Sequence, residues 1–227
     1  VAEPIRTSDG GNAPERLFRE RAAFPVLYMF AITFALTAIL VGVARTTRAR
    51  VEANRRVRFE RAVLQATVPE TVDRATPAAQ VHRLFTEYVG ETENAGAGVY
   101  RVHRADGVVV TGVPFAGKGF WDTIRGVIGI DADRRTVTGF AVYAHAETPG
   151  LGGEITKPYF RERLVGCVLA DDAAPLVTTR TGAASDPHAF EAITGATQTS
   201  QRLCDMLNTA LTDWRRQPPD KDGEHGR

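Results

Sequence analysis

The chain has little cysteine: Cys167 and Cys204 are the only two in 227 residues, and they form no C-x-x-C pair. That argues against a zinc or iron–sulfur site built from this chain alone. One pair carries no spacing information, so a disulfide stays open, and two buried free thiols are the favoured expectation. A large excess of charge of one sign is also missing. The formal net charge is +1, which gives no electrostatic reason to expect a nucleic-acid partner. There is no internal repeat. The 21 glycines and 12 prolines are unexceptional for an ordered domain and gather mainly at turns.

The most informative absence is that of charge over residues 22–44, a run of 23 residues bracketed by Arg21 and Arg45. At about 1.5 Å per residue such a helix crosses a hydrocarbon core of about 30 Å with some tilt. A core helix of this length would carry a polar face. The run is longer than a signal-peptide core of about 7–15 residues, and no small-x-small cleavage site follows it. The expectation is one uncleaved transmembrane helix, with Pro25 tolerated in its first turn. The span carries no charged side chain, so this chain alone is not expected to form an ion path. Arg6, Arg16, Arg19 and Arg21 precede the run. Arg45, Arg48, Arg50, Arg55, Arg56, Arg58 and Arg61 follow it. The positive-inside rule, read literally, places the large C-terminal part in the cytoplasm.

Residues 45–75 read as a helical connector, charged and amphipathic over 51–67 and ended by Pro69. Another short helix is expected at 76–88, with Val81, Leu84 and Phe85 at helical spacing. From Gly98 the period changes. Residues 99–103, 107–113, 127–131 and 137–145 read as strands, the first two joined by Ala105-Asp106-Gly107. Residues 159–164 form a short helix started by Pro158, and 167–169 and 176–179 are β-like. Residues 198–214 close the domain as a helix whose apolar side chains recur at three- and four-residue steps. The strands run together and the helices flank them, so the fold class is α+β over 76–216 rather than alternating βαβ units. The polar tail, 217–227, is expected to be disordered.

Two motifs stand out. The stretch Thr194-Gly195-Ala196-Thr197-Gln198-Thr199-Ser200 leads into the last helix, whose unpaired first amides stabilise a phosphate. Gly195 permits close backbone approach. Thr199 and Ser200 are suited either to capping the helix or to bonding a phosphate oxygen, and on the residues alone plain capping is the simpler reading. Glu147-Thr148-Pro149-Gly150-Leu151-Gly152-Gly153 defines a tight loop after a strand. It suits close approach to a planar ligand, or is an ordinary turn. His145 and Glu147 read as an acid/base pair or, more simply, as polar residues at a strand end.

Taken together, in this order, the motifs resemble the FMN-binding domain shared by the flavin-carrying subunits of two membrane complexes, the sodium-translocating NADH:quinone reductase and the Rnf ferredoxin:NAD oxidoreductase. That family carries Glu-Thr-Pro-Gly-Leu-Gly, present unchanged at 147–152, and a Ser/Thr-Gly-Ala-Thr sequence whose final Thr maps onto Thr197. Gly117-Lys118-Gly119-Phe120-Trp121 and Gly153-Glu154-Ile155 resemble the quinone-reductase branch. The likeness extends to about Trp214. One position departs: Glu191 stands where the family often has Asp, keeping the charge and changing the reach.

The resemblance implies covalent FMN, joined by a phosphoester to Thr197 by a separate magnesium-dependent flavin transferase that takes FMN from FAD. It assigns cofactor contacts to Thr194, Gly195, Ala196 and Thr199, and to Glu147, Thr148, Gly150, Leu151 and Gly152 in the loop. Leu151 is the apolar contact to the flavin ring and Thr148 the polar one. Trp121 is expected to shield a ring edge or to be an ordinary core tryptophan. No residue need act as a general acid or base and no metal site is implied, since the flavin carries the electron. The implied partners are the other subunits of a membrane oxidoreductase complex. The implied location is the inner membrane, with residues 1–21 cytoplasmic and the flavin domain periplasmic, opposite to the arginine count. The Rnf branch, and a membrane-tethered scaffold or non-covalent binder, are the alternatives.

Overall fold

The computed structural model describes residues 13–73, 75–89, 98–180 and 186–216, with side chains from residue 24 onward. The expectation of a disordered tail at 217–227 lies outside the described residues. The chain divides into two units, Val1–Ala53 and Asn54–Arg227.

The described part of the first unit is helical. It belongs to helix α1, which runs Ala13–Thr67 and whose residues 54–67 lie in the second unit, so the helix begins nine residues before the apolar run. Pro25 therefore sits inside the helix and not in its first turn, a correction to the sequence reading. The Glu, Arg and Leu residues at 15–20 are good helix formers and extend the helix backwards. The apolar side chains of the run are exposed: Leu40 is 71% exposed and Phe24 69%. The most apolar stretch has a mean hydropathy of 2.4 and is not buried at all. By length and composition this helix is able to cross a membrane.

The second unit is α+β. A 3-10 turn, Pro69–Thr71, follows α1, and α2 spans Ala78–Val89. The strands β1 (Tyr100–His103), β2 (Val109–Lys118), β3 (Thr123–Ile130) and β4 (Val137–Ala144) form an antiparallel sheet in sequential order. A 3-10 turn, Gly152–Thr156, and α3, Pro158–Glu162, come next. A small parallel pair follows, β5 (Val177–Thr179) with β6 (Ala189–Glu191), and α4 (Thr197–Arg216) ends the fold. Alternation alone marks β2 only as far as Val113, because Pro114 breaks the pattern. The strand continues because β1 pairs with it no further than Gly112, so a proline beyond that point interrupts no ladder on that side. Strand β6 is not apparent from the sequence, since three residues carry too little period to read.

Both faces of the sheet are buried. Neighbouring residues go to opposite sides, Val127 and Ala141 to one cluster and Ile128 and Phe140 to the other, as the two-residue period requires. The first cluster packs against Ala62, Val63 and Leu64 of α1 and Val81 of α2. The second packs against Phe160 of α3 and Leu203, Leu207 and Trp214 of α4, with Phe115 and Phe140 stacked at 5.5 Å. The end of α1 reaches the sheet at a glycine pair. Gly129 and Gly139 are register partners, and a Cβ on either would run into the carbonyl oxygen of Ala66. The Thr138 hydroxyl donates to that same oxygen at 3.1 Å. Since the obstacle is backbone, Gly129→Ala is expected to cost about 1–3 kcal/mol, read as a lower urea midpoint at unchanged slope.

Cys167 and Cys204 are free and buried. Their thiols donate to the carbonyl oxygens of Arg163 and Leu176, each at 3.3 Å. Burial, aided by the neighbouring Asp205 carboxylate, pushes the Cys204 thiol up to about 12, and burial raises Cys167 as well. The thiolate is the reactive form. At pH 8, Ellman's reagent is therefore expected to read no thiol in the folded chain and both after unfolding.

Candidate functional site

Three segments distant in sequence converge at the start of α4. Gly195 has φ +81°, the left-handed conformation that favours glycine, and it turns the chain into the helix. Ser200 fixes the turn: its hydroxyl accepts from the Ile193 amide at 3.0 Å and donates to the Ala196 carbonyl at 3.1 Å. Ser200 is thus a structural bracket. The first amides of α4 have no intrahelical acceptor, and the Thr197 side chain is exposed among them.

The second segment is the glycine loop. Gly150 has φ +77°. The Thr148 carbonyl accepts from the amides of Leu151 at 3.1 Å and Gly153 at 2.9 Å, folding the loop onto itself. The third is the β2–β3 turn, closed by the Gly119 amide donating to the Asp122 carbonyl at 2.8 Å.

Glu147 ties the three together. Its side chain is only 4% exposed. Oε1 accepts from the amides of Phe120 at 2.7 Å and Trp121 at 3.1 Å, and Oε2 accepts from the Thr199 hydroxyl at 2.8 Å. Two glycines make room for it: a Cβ on Gly119 would meet Oε1, and one on Gly152 would meet Oε2 and the Thr199 hydroxyl oxygen. A fourth bond runs from the Trp121 indole N–H to the Thr148 hydroxyl, 3.0 Å. Arg202 of α4 donates to the Gly119 carbonyl and places its guanidinium over the Phe120 ring at 5.9 Å.

The result is an exposed helix start rimmed by unusually exposed apolar side chains: Phe120 44%, Trp121 65% and Leu151 45%. Leu151 reaches within 3.3 Å of where a Cβ on Gly195 would stand. Trp121 is therefore not a core tryptophan. His145 and Glu147 are not an acid/base pair either: His145 Nδ1 accepts from the Glu147 amide at 3.2 Å, while the Glu147 carboxylate faces the opposite partners. Of the expected contacts, Thr194, Gly195, Thr197, Thr148, Gly150, Leu151 and Trp121 lie at the surface. Glu147, Gly152, Ala196 and Thr199 lie buried beneath it. Glu191 faces Arg163 at 3.7 Å. Sequence reading overlooks Arg202, which α4 periodicity leaves among ordinary surface charges.

Comparison with known proteins agrees with this geometry. Residues 119–212 match the FMN-binding domain family, a stretch that contains all three converging segments. NqrC, a subunit of the Na(+)-translocating NADH-quinone reductase, from Yersinia pestis is 40% identical over 110 residues, 46% of this chain and 41% of that protein. The Pseudomonas aeruginosa counterpart is 30% identical over 158 residues, 64% and 56% respectively. The chain spans about half the length of these curated relatives. Among solved structures, the same reductase subunit from Parabacteroides distasonis superposes with a TM-score of 0.63 at 20% identity, covering 74% of this chain and 94% of that one. Shewanella oneidensis NqrC gives 0.53 at 24%, covering 69% and 94%. These structural matches show the fold. Residues 119–212 thus match the FMN-binding domain family, and the chain is similar to the NqrC subunit of the Na(+)-translocating NADH-quinone reductase.

Proposed function

We propose that this chain is a membrane-anchored electron-transfer subunit of an NADH:quinone oxidoreductase-type complex, carrying FMN through a phosphoester to Thr197. The observation that carries the reading is the placement of the Thr197 hydroxyl: exposed, at the first turn of α4, beside an apolar rim. The residues fit the group. The free amides of α4 and its dipole stabilise the phosphate, and Trp121, Phe120 and Leu151 offer apolar surface to a planar ring. FMN supplies the electron-carrying chemistry when bound.

Attachment is an exchange at phosphorus. The Thr197 oxygen bonds the FMN phosphorus of FAD, AMP leaves, and the hydroxyl proton is lost. A separate flavin transferase is the catalyst in this reading. The link to the rest of the complex, the inner-membrane location and a periplasmic flavin domain are parts of the same proposal. The apolar length of α1 supports the anchor.

Intact mass spectrometry of the chain made together with its transferase tests it. The expected result is one added FMN, on the tryptic peptide that ends at Arg202. An unmodified chain under those conditions overturns the covalent reading. A reporter fused at the C-terminus and found in the cytoplasm overturns the proposed orientation alone.

A further inference from the structure

The arginine run after the apolar segment has no part in the flavin site, yet it is not spread at random. Arg55 and Arg58 lie on one face of α1, and that face forms one wall of a groove of about 1140 Å³. Strands β3 and β4 form the other wall, with Arg125 and Tyr143. In all, five arginines and a single carboxylate, Asp122, line it, in a chain whose formal net charge is only +1.

Two of the five arginines are already engaged. Arg56 pairs with the buried Glu60 carboxylate at 2.9 Å, and Arg61 donates to the carbonyls of Asp73 and Thr76. Among the described residues, Arg55, Arg58 and Arg125 have no ion pair. Three uncompensated cations converging on one groove repel one another, so the arrangement calls for an anionic occupant. The floor is aromatic, where Phe59 meets Tyr143 edge-on at 5.5 Å.

We infer that this groove docks a segment rich in Asp and Glu from another protein chain. Its volume exceeds the roughly 300–1,000 Å³ usual for small-molecule pockets. Apolar wall and guanidinium forks together suit a polypeptide, which offers side-chain carbon as well as carboxylates. A bilayer surface is flat and does not enter a concavity between a helix and a sheet. The groove also borders the candidate flavin site: Asp122 follows Trp121 directly, and His145 stands two residues before Glu147. An occupant there sits beside the rim. This gives the arginines a role other than fixing topology, and it does not depend on covalent FMN.

The test is zero-length carbodiimide coupling in native membranes holding the full-length chain, with Arg58→Lys or Arg125→Lys supplying an amine where wild type has a guanidinium. The expected result is a new covalent adduct joining that lysine to an Asp or Glu of a different chain, located by mass spectrometry. It should fall at least tenfold when the other two free arginines are changed to Gln. Coupling only to carboxylates of the same chain, or no adduct at all, overturns the inference. So does Arg-dependent binding of the purified chain to phosphatidylglycerol vesicles in place of a protein adduct. Flavin fluorescence on the same gel stays as in wild type, so a failure here is distinct from a failure of the Thr197 reading.

Discussion

Thr197→Ala is expected to remove the flavin completely while leaving the fold as it is. On a denaturing gel under ultraviolet light, protein made with its transferase should give a fluorescent band in wild type, a retained band in Thr197→Ser, and none in Thr197→Ala. The sharpness of this outcome comes from the neighbours. Only a hydroxyl that is both exposed and at the helix start meets the phosphate and its stabilising amides. Thr199 is buried and its hydroxyl is committed to Glu147 at 2.8 Å. The Ser200 hydroxyl is committed to Ile193 and Ala196. Thr194 precedes the Gly195 turn and lies outside α4. None of the three is placed to substitute for Thr197. Loss of the Thr197 methyl and hydroxyl at an exposed position changes stability by no more than about 0.5 kcal/mol, so circular dichroism and melting temperature should match wild type. A band that survives in Thr197→Ala and disappears in Thr194→Ala would move the attachment point and reject the assignment.

How much of this is legible in the sequence differs between the elements and the site. The sheet and α4 are legible in outline because alternate sheet residues enter two buried clusters and α4 buries one face, so burial imposes a period, although β3 begins at Thr123, four residues before the stretch read from sequence. Strand β6 and the extension of β2 past Pro114 escape because their pairing is decided by tertiary neighbours. Pro25 is misplaced for a related reason: helix propensity before the apolar run extends α1 backwards. At the site, glycine spacing locates the loop correctly. It does not reveal which side of the loop faces outward. Glu147, expected at the ligand, points inward, while Trp121, open between core and surface, turns outward. Side-chain direction there depends on hydrogen bonds between segments 26, 27 and 52 residues apart, and no local pattern encodes such distances. The glycines do leave a trace after the fact, since Gly119 and Gly152 are small because the carboxylate needs the space.

Glu147→Ala is expected to disable the site from beneath. Removing the carboxylate strands three donors at once: the amides of Phe120 and Trp121 and the hydroxyl of Thr199. Water is able to reach the two amides, whose residues are exposed, but Thr199 is 4% exposed and its hydroxyl loses its acceptor. A buried donor left without a partner costs about 1–3 kcal/mol, and bonds to a charged group are stronger than neutral ones. The total loss should be about 2–4 kcal/mol, and a domain of this size loses about 2–4 °C of melting temperature per kcal/mol. Glu147→Gln separates charge from shape. Its amide oxygen still accepts from Phe120 and Trp121, and its amide nitrogen forces the Thr199 hydroxyl to turn from donor to acceptor. It should lie between wild type and Glu147→Ala. Thr199→Val, which deletes a single bond, should be milder than Glu147→Ala. Two readouts follow the same order. The emission of Trp121, whose backbone the carboxylate holds, shifts as the turn loosens. The ratio of bound flavin to protein falls, because the rim and the helix start no longer keep a fixed spacing. A Glu147→Ala protein with wild-type melting temperature and wild-type flavin content would show that the buried carboxylate positions nothing.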